Sequence, residues 1–145
     1  NFKNVIFATN ISTLDELEYI KTNLIKFHNN IKILILGPIP HVDKKIIPLK
    51  CLIRQIDCYY LTNSDIKNRN LEEFYKKINS LVKINKKIFF YDPYKIICPE
   101  NKCYVYNKTK DILTHIDNIH LTREGSRLLI KDFNRFYQNK LNLIF

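Results

Sequence analysis

Ile31-Lys32-Ile33-Leu34-Ile35-Leu36-Gly37-Pro38-Ile39-Pro40 is an almost unbroken apolar run that stops at a glycine and two prolines. It lacks the polar alternation of a strand with one wet face. The run therefore reads as a strand covered on both sides, closed by a turn. Val5 to Ala8 and Ile88 to Tyr91 have the same character. Between these runs the period changes to three and four. Leu14, Leu17, Ile20, Leu24 and Phe27 form one helical pattern, with Ser12 or Thr13 as N-cap and Asp15 and Glu16 in the first turn. Leu71, Phe74, Ile78, Leu81 and Val82 form a second. Leu128, Leu129, Phe133, Phe136 and Tyr137 form a third, behind Thr122. Strand and helix in alternation predict an α/β fold with a parallel sheet and right-handed crossovers. The segment from His41 to Arg69 has no clean period and is expected to be a long connection with a short helix, of the kind that lines clefts.

The chain has 145 residues and no methionine, and its first residues run straight into an apolar strand. A single domain is expected, cut within its core and preceded by further strands, because three parallel strands leave bare edges. The net charge of +10 comes from 24 basic against 14 acidic residues. Most of the bases are lysines scattered among Asn and Ile, and arginine, the usual base-reading residue, is sparse. Nucleic acid is not the expected partner. No apolar run approaches the ~20 residues that span a bilayer.

Cys51, Cys58, Cys98 and Cys103 contain no CxxC pair and complete no zinc spacing with histidines, so neither metal nor cofactor is expected. Pro99 and Asn101 lie between Cys98 and Cys103 and mark a turn, which brings those two within bonding distance. That disulfide points to an oxidising, periplasmic or cell-surface location. Cys51 and Cys58 on one helix would stand ~10 Å apart along its axis. They need a break between them, or they are free core thiols.

In parallel α/β sheets, ligands bind beyond the carboxyl ends of the strands. Asn10, Gly37 and Asp92-Pro93 fall at such ends, and His41 follows the second closely enough to line a cleft with Gly37. Asp117 and His120 are the sharpest pair. An Asp three residues before a His on an irregular turn can accept the imidazole Nδ1–H and leave Nε2 as a general base. His115, two residues before Asp117, reads as a surface residue. Tyr59, Tyr60, Tyr104 and Tyr106 are available to stack on sugar rings.

Asp117-Asn118-Ile119-His120-Leu121-Thr122-Arg123-Glu124-Gly125 resembles the D-x-x-H-L-[ST]-x-x-G string that closes SGNH hydrolases. It is most similar to the SGNH domains fused to membrane-bound acyltransferases of family three. Ile33 to Pro40 resembles the strand that family ends in a proline-rich turn. Tyr91-Asp92-Pro93 followed by Cys98 and Cys103 resembles its D-P…C…C stretch. Val5 to Asn10 resembles the strand ending in G-x-N, with Ala8 in place of Gly. The resemblance implies a three-layer α/β/α, flavodoxin-like fold and a Ser-His-Asp triad. Asp117 and His120 would supply two of its members, and Asn10 would help bind the oxyanion. The family carries its serine on an early Gly-Asp-Ser turn, which this sequence lacks. The serine and its strand are therefore expected upstream of Asn1.

The resulting expectation is one partial SGNH-like domain over residues 1–145. It would belong to an extracytoplasmic acyltransferase or esterase acting on O-acetyl groups of cell-envelope glycans. Its partners would be an acyl donor, a glycan acceptor and an upstream membrane acyltransferase domain in an inner-membrane protein. By itself the chain is expected to be inactive. A carbohydrate-binding or scaffolding module that lost its serine is the competing reading. A basic α/β nucleic-acid-binding domain, recognisable by salt-dependent binding, is a third.

Overall fold

The computed structural model describes residues 4–7, 14–24 and 32–141. Strands β1 (Asn4–Phe7), β2 (Lys32–Leu36) and β4 (Ile88–Tyr91) form a parallel sheet in the order β1-β2-β4. Between β2 and β4 lie α2 (Pro48–Arg54), β3 (Cys58–Leu61), α3 (Thr62–Asn68) and α4 (Leu71–Ile84). Helix α1 (Leu14–Tyr19) precedes β2 and runs on as a π-helical turn through Leu24. The N-cap expected at Ser12 or Thr13, and Phe27, lie outside the described residues.

The apolar run of β2 is covered on both faces, as its lack of alternation requires. Ile33 and Ile35 pack with Ile88 against Leu17 of α1, Ile20 of the π-helical turn after it, and Phe74 and Ile78 of α4. Leu34 and Tyr91 turn the other way. They meet Phe133, Phe136 and Tyr137 of the long helix α6 (Arg123–Leu141). Successive strand residues thus feed two separate helix layers, and the fold is a three-layer α/β/α sandwich.

The stretch expected to be a long connection contributes a strand to a second sheet. Strands β3, β5 (Lys102–Asn107) and β6 (Ile112–Leu113) pair antiparallel in the order β3-β5-β6. The short helix α5 (Tyr94–Ile97) and a 3-10 turn lead into β5. This sheet has its own core, with Val42, Tyr60, Leu71, Tyr94, Ile97 and Val105 buried.

Two disulfides staple this second core. Cys98 and Cys103 are bonded across a turn whose Glu100 and Asn101 both take positive φ, with Cα atoms 3.8 Å apart. Cys51 and Cys58 are bonded too, at a Cα separation of 5.9 Å. The break they need is at Gln55. It takes φ 53°, donates its N–H to Leu52 O and ends α2, which folds Cys58 back toward Cys51.

Candidate active site

Residues 114–122 form a narrow hairpin beyond the carboxyl end of β2. Thr114 N–H donates to Val105 O, His115 bridges antiparallel to Leu121, and Ile116 N–H donates to His120 O. These bonds leave Asp117, Asn118 and Ile119 as the tip. Asn118 fixes the tip to the loop after β2, because its carbonyl accepts Val42 N–H at 2.8 Å and its amide donates to Val42 O at 3.1 Å.

At the tip, Asp117 Oδ1 accepts the backbone N–H groups of Ile119 and His120, at 2.8 and 2.7 Å. Oδ2 lies 2.7 Å from His120 Nδ1. The Ile119 N–H, then the imidazole and the His120 N–H, hold the Asp117 carboxyl down at about 2. It is therefore a carboxylate at any working pH and can only accept. In the neutral ring His120 Nδ1 must then carry the proton, which leaves the lone pair on Nε2. The His120 ring is 69% exposed, and among the described residues no serine hydroxyl bonds to it. Asp117 and His120 thus form an oriented acid–base pair held by backbone bonds.

The wall behind the pair is rigid for identifiable reasons. Thr122 caps α6, its Oγ1 accepting Gly125 N–H at 3.0 Å and its carbonyl accepting Ser126 N–H at 2.9 Å. The same hydroxyl donates to Leu113 O, tying helix to hairpin. Gly125 is required by close approach: a Cβ there would overlap the backbone of Thr114.

His115 is fully buried, which corrects its reading as a surface residue. It contacts Pro40 O through Nε2 at 3.0 Å and Thr114 Oγ1 through Nδ1 at 2.8 Å. A carbonyl can only accept, so Nε2 carries the proton, while burial pushes the pKa down and favours the neutral ring. Its role is to pin the hairpin to the turn after β2.

A second clamp was not singled out from the sequence. Asp65 is buried, and its Oδ2 accepts His41 N–H at 3.0 Å and the Tyr94 hydroxyl. Arg69, four residues on, donates to Ile39 O at 2.7 Å and to Tyr94 Oη at 3.2 Å. An acid and a base at i,i+4 were the available signal.

Gly37 is buried and continues the ladder by donating to Tyr91 O at 2.8 Å, with the Phe90 ring 2.8 Å from where a Cβ would stand. Packing explains it. His41 lines a cavity of about 410 Å³ with Lys44, Lys45, Tyr60, Ser64 and Asn68. Burial, then the Arg69 charge, lowers the His41 pKa. The Tyr60 hydroxyl is buried without a hydrogen-bond partner among the described residues. Tyr60 and Tyr106 are therefore not open stacking platforms, and Tyr59 and Tyr104 pack on each other at 5.6 Å. Asn10 lies outside the described residues.

A three-layer α/β/α fold with an Asp–His pair beyond the carboxyl ends of a parallel sheet defines the architecture of an SGNH-type acyl-processing domain. Residues 5–135 match the family model of the SGNH domain that is fused to AT3 domains, and the chain belongs to that family. No curated protein and no solved structure matches the chain.

Proposed function

We propose that this chain supplies the base half of a serine-dependent site that moves acyl groups, acetyl in particular, on or off cell-envelope glycans. The observation that carries the reading is the 2.7 Å contact between Asp117 Oδ2 and His120 Nδ1, with Oδ1 held by two backbone N–H groups. A serine from a segment upstream, on a strand beside β1, would give its Oγ proton to His120 Nε2 and attack the acyl carbonyl carbon. The imidazolium, stabilised by Asp117, would return that proton to the leaving oxygen. The acceptor hydroxyl would then repeat the steps on the acyl-serine and release the serine. Asn10 would contribute to the oxyanion site.

The cavity beside His41 is our candidate for the acceptor sugar. Its volume falls within the range of roughly 300–1,000 Å³ usual for small-ligand sites. Neutral hydrogen-bonding groups from His41, Ser64 and Asn68 suit a polyhydroxylated ring. The disulfides and the family's fusion to AT3 domains support an extracytoplasmic domain beside a membrane acyltransferase.

Turnover of p-nitrophenyl acetate tests the reading. A protein extended upstream through the serine turn should turn over. His120→Ala should abolish that activity, and Asp117→Asn should reduce it by about 10⁴. Equal turnover by this chain alone would contradict an external serine. A non-catalytic glycan-binding module would use the same cavity beside His41. It predicts glycan binding with no turnover in either form.

A further inference from the structure

Helix α2 carries a feature that acyl transfer does not use, although Lys44 and Lys45 before it line the His41 cavity. From Lys44 to Ile56 the chain holds Lys44, Lys45, Lys50 and Arg54, with the carboxylates Asp43 and Asp57 at its two ends. Over the same stretch Ile47, Leu49, Ile53 and Ile56 are 47, 58, 72 and 48% exposed. Leu49 and Ile53 are four residues apart and share one helix face, and Lys50 and Arg54 share the next. Pro48 and Cys51 face inward. A surface helix ordinarily buries its apolar face and wets its polar one. Single exposed apolar residues need no explanation, but four large aliphatics between positions 47 and 56, with Lys50 and Arg54 beside them on α2, do.

The segment is also rigid. Gln55 N–H donates to Leu52 O at 3.1 Å and Ile56 N–H to Cys51 O at 3.3 Å, which closes the helix end. Tyr106 Oη donates to Gln55 Oε1 at 2.8 Å, and the Cys51–Cys58 bond fastens the return strand. Docking such a surface costs little further ordering.

We infer that α2 seats this domain on an anionic lipid surface. Leu49, Ile53 and Ile56 enter the boundary between headgroups and acyl chains, and Lys50 and Arg54 lie among the phosphates. Long basic side chains suit that depth, because their stems cover apolar surface while their heads stay wet. No helix among the described residues is long and apolar enough to cross a membrane, so α2 lies on the surface. The net charge of +10 adds attraction at longer range. The segment leads back along the chain to Val42, whose backbone bonds Asn118 at the dyad tip. Seating α2 therefore places His120 relative to the lipid. This inference rests on the surface alone and stands apart from the acyl-transfer reading.

Flotation of this chain with vesicles of phosphatidylcholine, alone or mixed with phosphatidylglycerol, tests it. Binding to the mixed vesicles is expected to be about tenfold or more tighter, and to weaken as salt is added. Leu49→Asn with Ile53→Asn, and separately Lys50→Gln with Arg54→Gln, should each lower it by about tenfold or more. Melting temperatures should be unchanged, because these side chains are exposed. Equal binding to both vesicle types, no binding to either, or variants that bind like the parent would overturn the assignment. So would a lipid-free dimer that Ile53→Asn dissolves, which would give this face to a second copy of the chain.

Discussion

Replacing Gly125 by alanine puts two physical terms in opposition, and their difference has a measurable sign. Gly125 lies in the first turn of α6, where alanine is the better helix former by ~1 kcal/mol. Helix propensity alone therefore predicts a more stable protein. The structure predicts the reverse. A Cβ at Gly125 would stand 3.0 Å from both the carbonyl carbon and the Cα of Thr114, and nearer still to its oxygen. That neighbour is backbone. Val105 O holds it through the Thr114 N–H, and Thr122 N–H bonds to its carbonyl, so it cannot swing away as a side chain would. Overpacking costs about 1–3 kcal/mol, and an immobile neighbour puts this case at or above the upper end. The net expectation is a loss of about 2 kcal/mol. Each kcal/mol shifts the melting point of a domain this size by roughly 3 °C, so Gly125→Ala should melt about 6 °C lower. Circular dichroism melts of the two chains measure this directly. A melting point raised by about 3 °C, which is what propensity alone would give, refutes the close-approach argument.

Two further outcomes are expected. The loops closed by Cys51–Cys58 and Cys98–Cys103 are short, so each bond stabilises the chain by roughly 2 kcal/mol. Peptide mapping without reductant should recover both pairs, and free thiols at Cys98 and Cys103 would remove the argument for an oxidising compartment. His115 and His41 take up protons less readily in the folded chain than at the ordinary value of 6.5. The unfolded state then binds more protons, so stability rises with pH in the window below 6.5 and is lost as pH falls through it. Asp92, raised by burial, acts in the opposite sense above its ordinary 3.8. Melting at about pH 5 should come below melting at about pH 7.5, and His115→Asn should flatten the difference; a parent curve already flat would show that the buried ring does not control it.

What the sequence revealed follows from the range of the forces involved. Strand β2 was legible because burial on both faces leaves only apolar residues at Ile33, Leu34 and Ile35. Helix α4 was legible because Leu71, Phe74 and Ile78 repeat on one buried stripe. The second sheet was not. Strand β3 is four residues long with Tyr59 and Leu61 turned outward, and its partner β5 lies some forty residues away, so no local pattern announces the pairing. The Cys51–Cys58 bond depended on a left-handed Gln55, a conformation that a glycine would have advertised and a glutamine does not. His115 read as a surface residue because nothing local shows that its ring reaches Pro40 across the fold; it is buried in the paired part of the hairpin, while Asp117 is exposed at the tip. Asp117 and His120 could be read as a pair because the three-residue turn that joins them is local.

The tautomer of His120 tests the central claim most directly. A free imidazole in water favours the proton on Nε2, so an unoriented, exposed histidine should show that form. A long-range proton–nitrogen spectrum of this chain, recorded where the ring is neutral, distinguishes the two nitrogens. With Asp117 accepting at 2.7 Å, the proton is expected on Nδ1, with Nε2 bare, and Asp117→Ala should restore the ordinary preference. A neutral His120 with its proton on Nε2 in the parent chain would mean that Asp117 does not orient it, and the base assigned to this site would be lost.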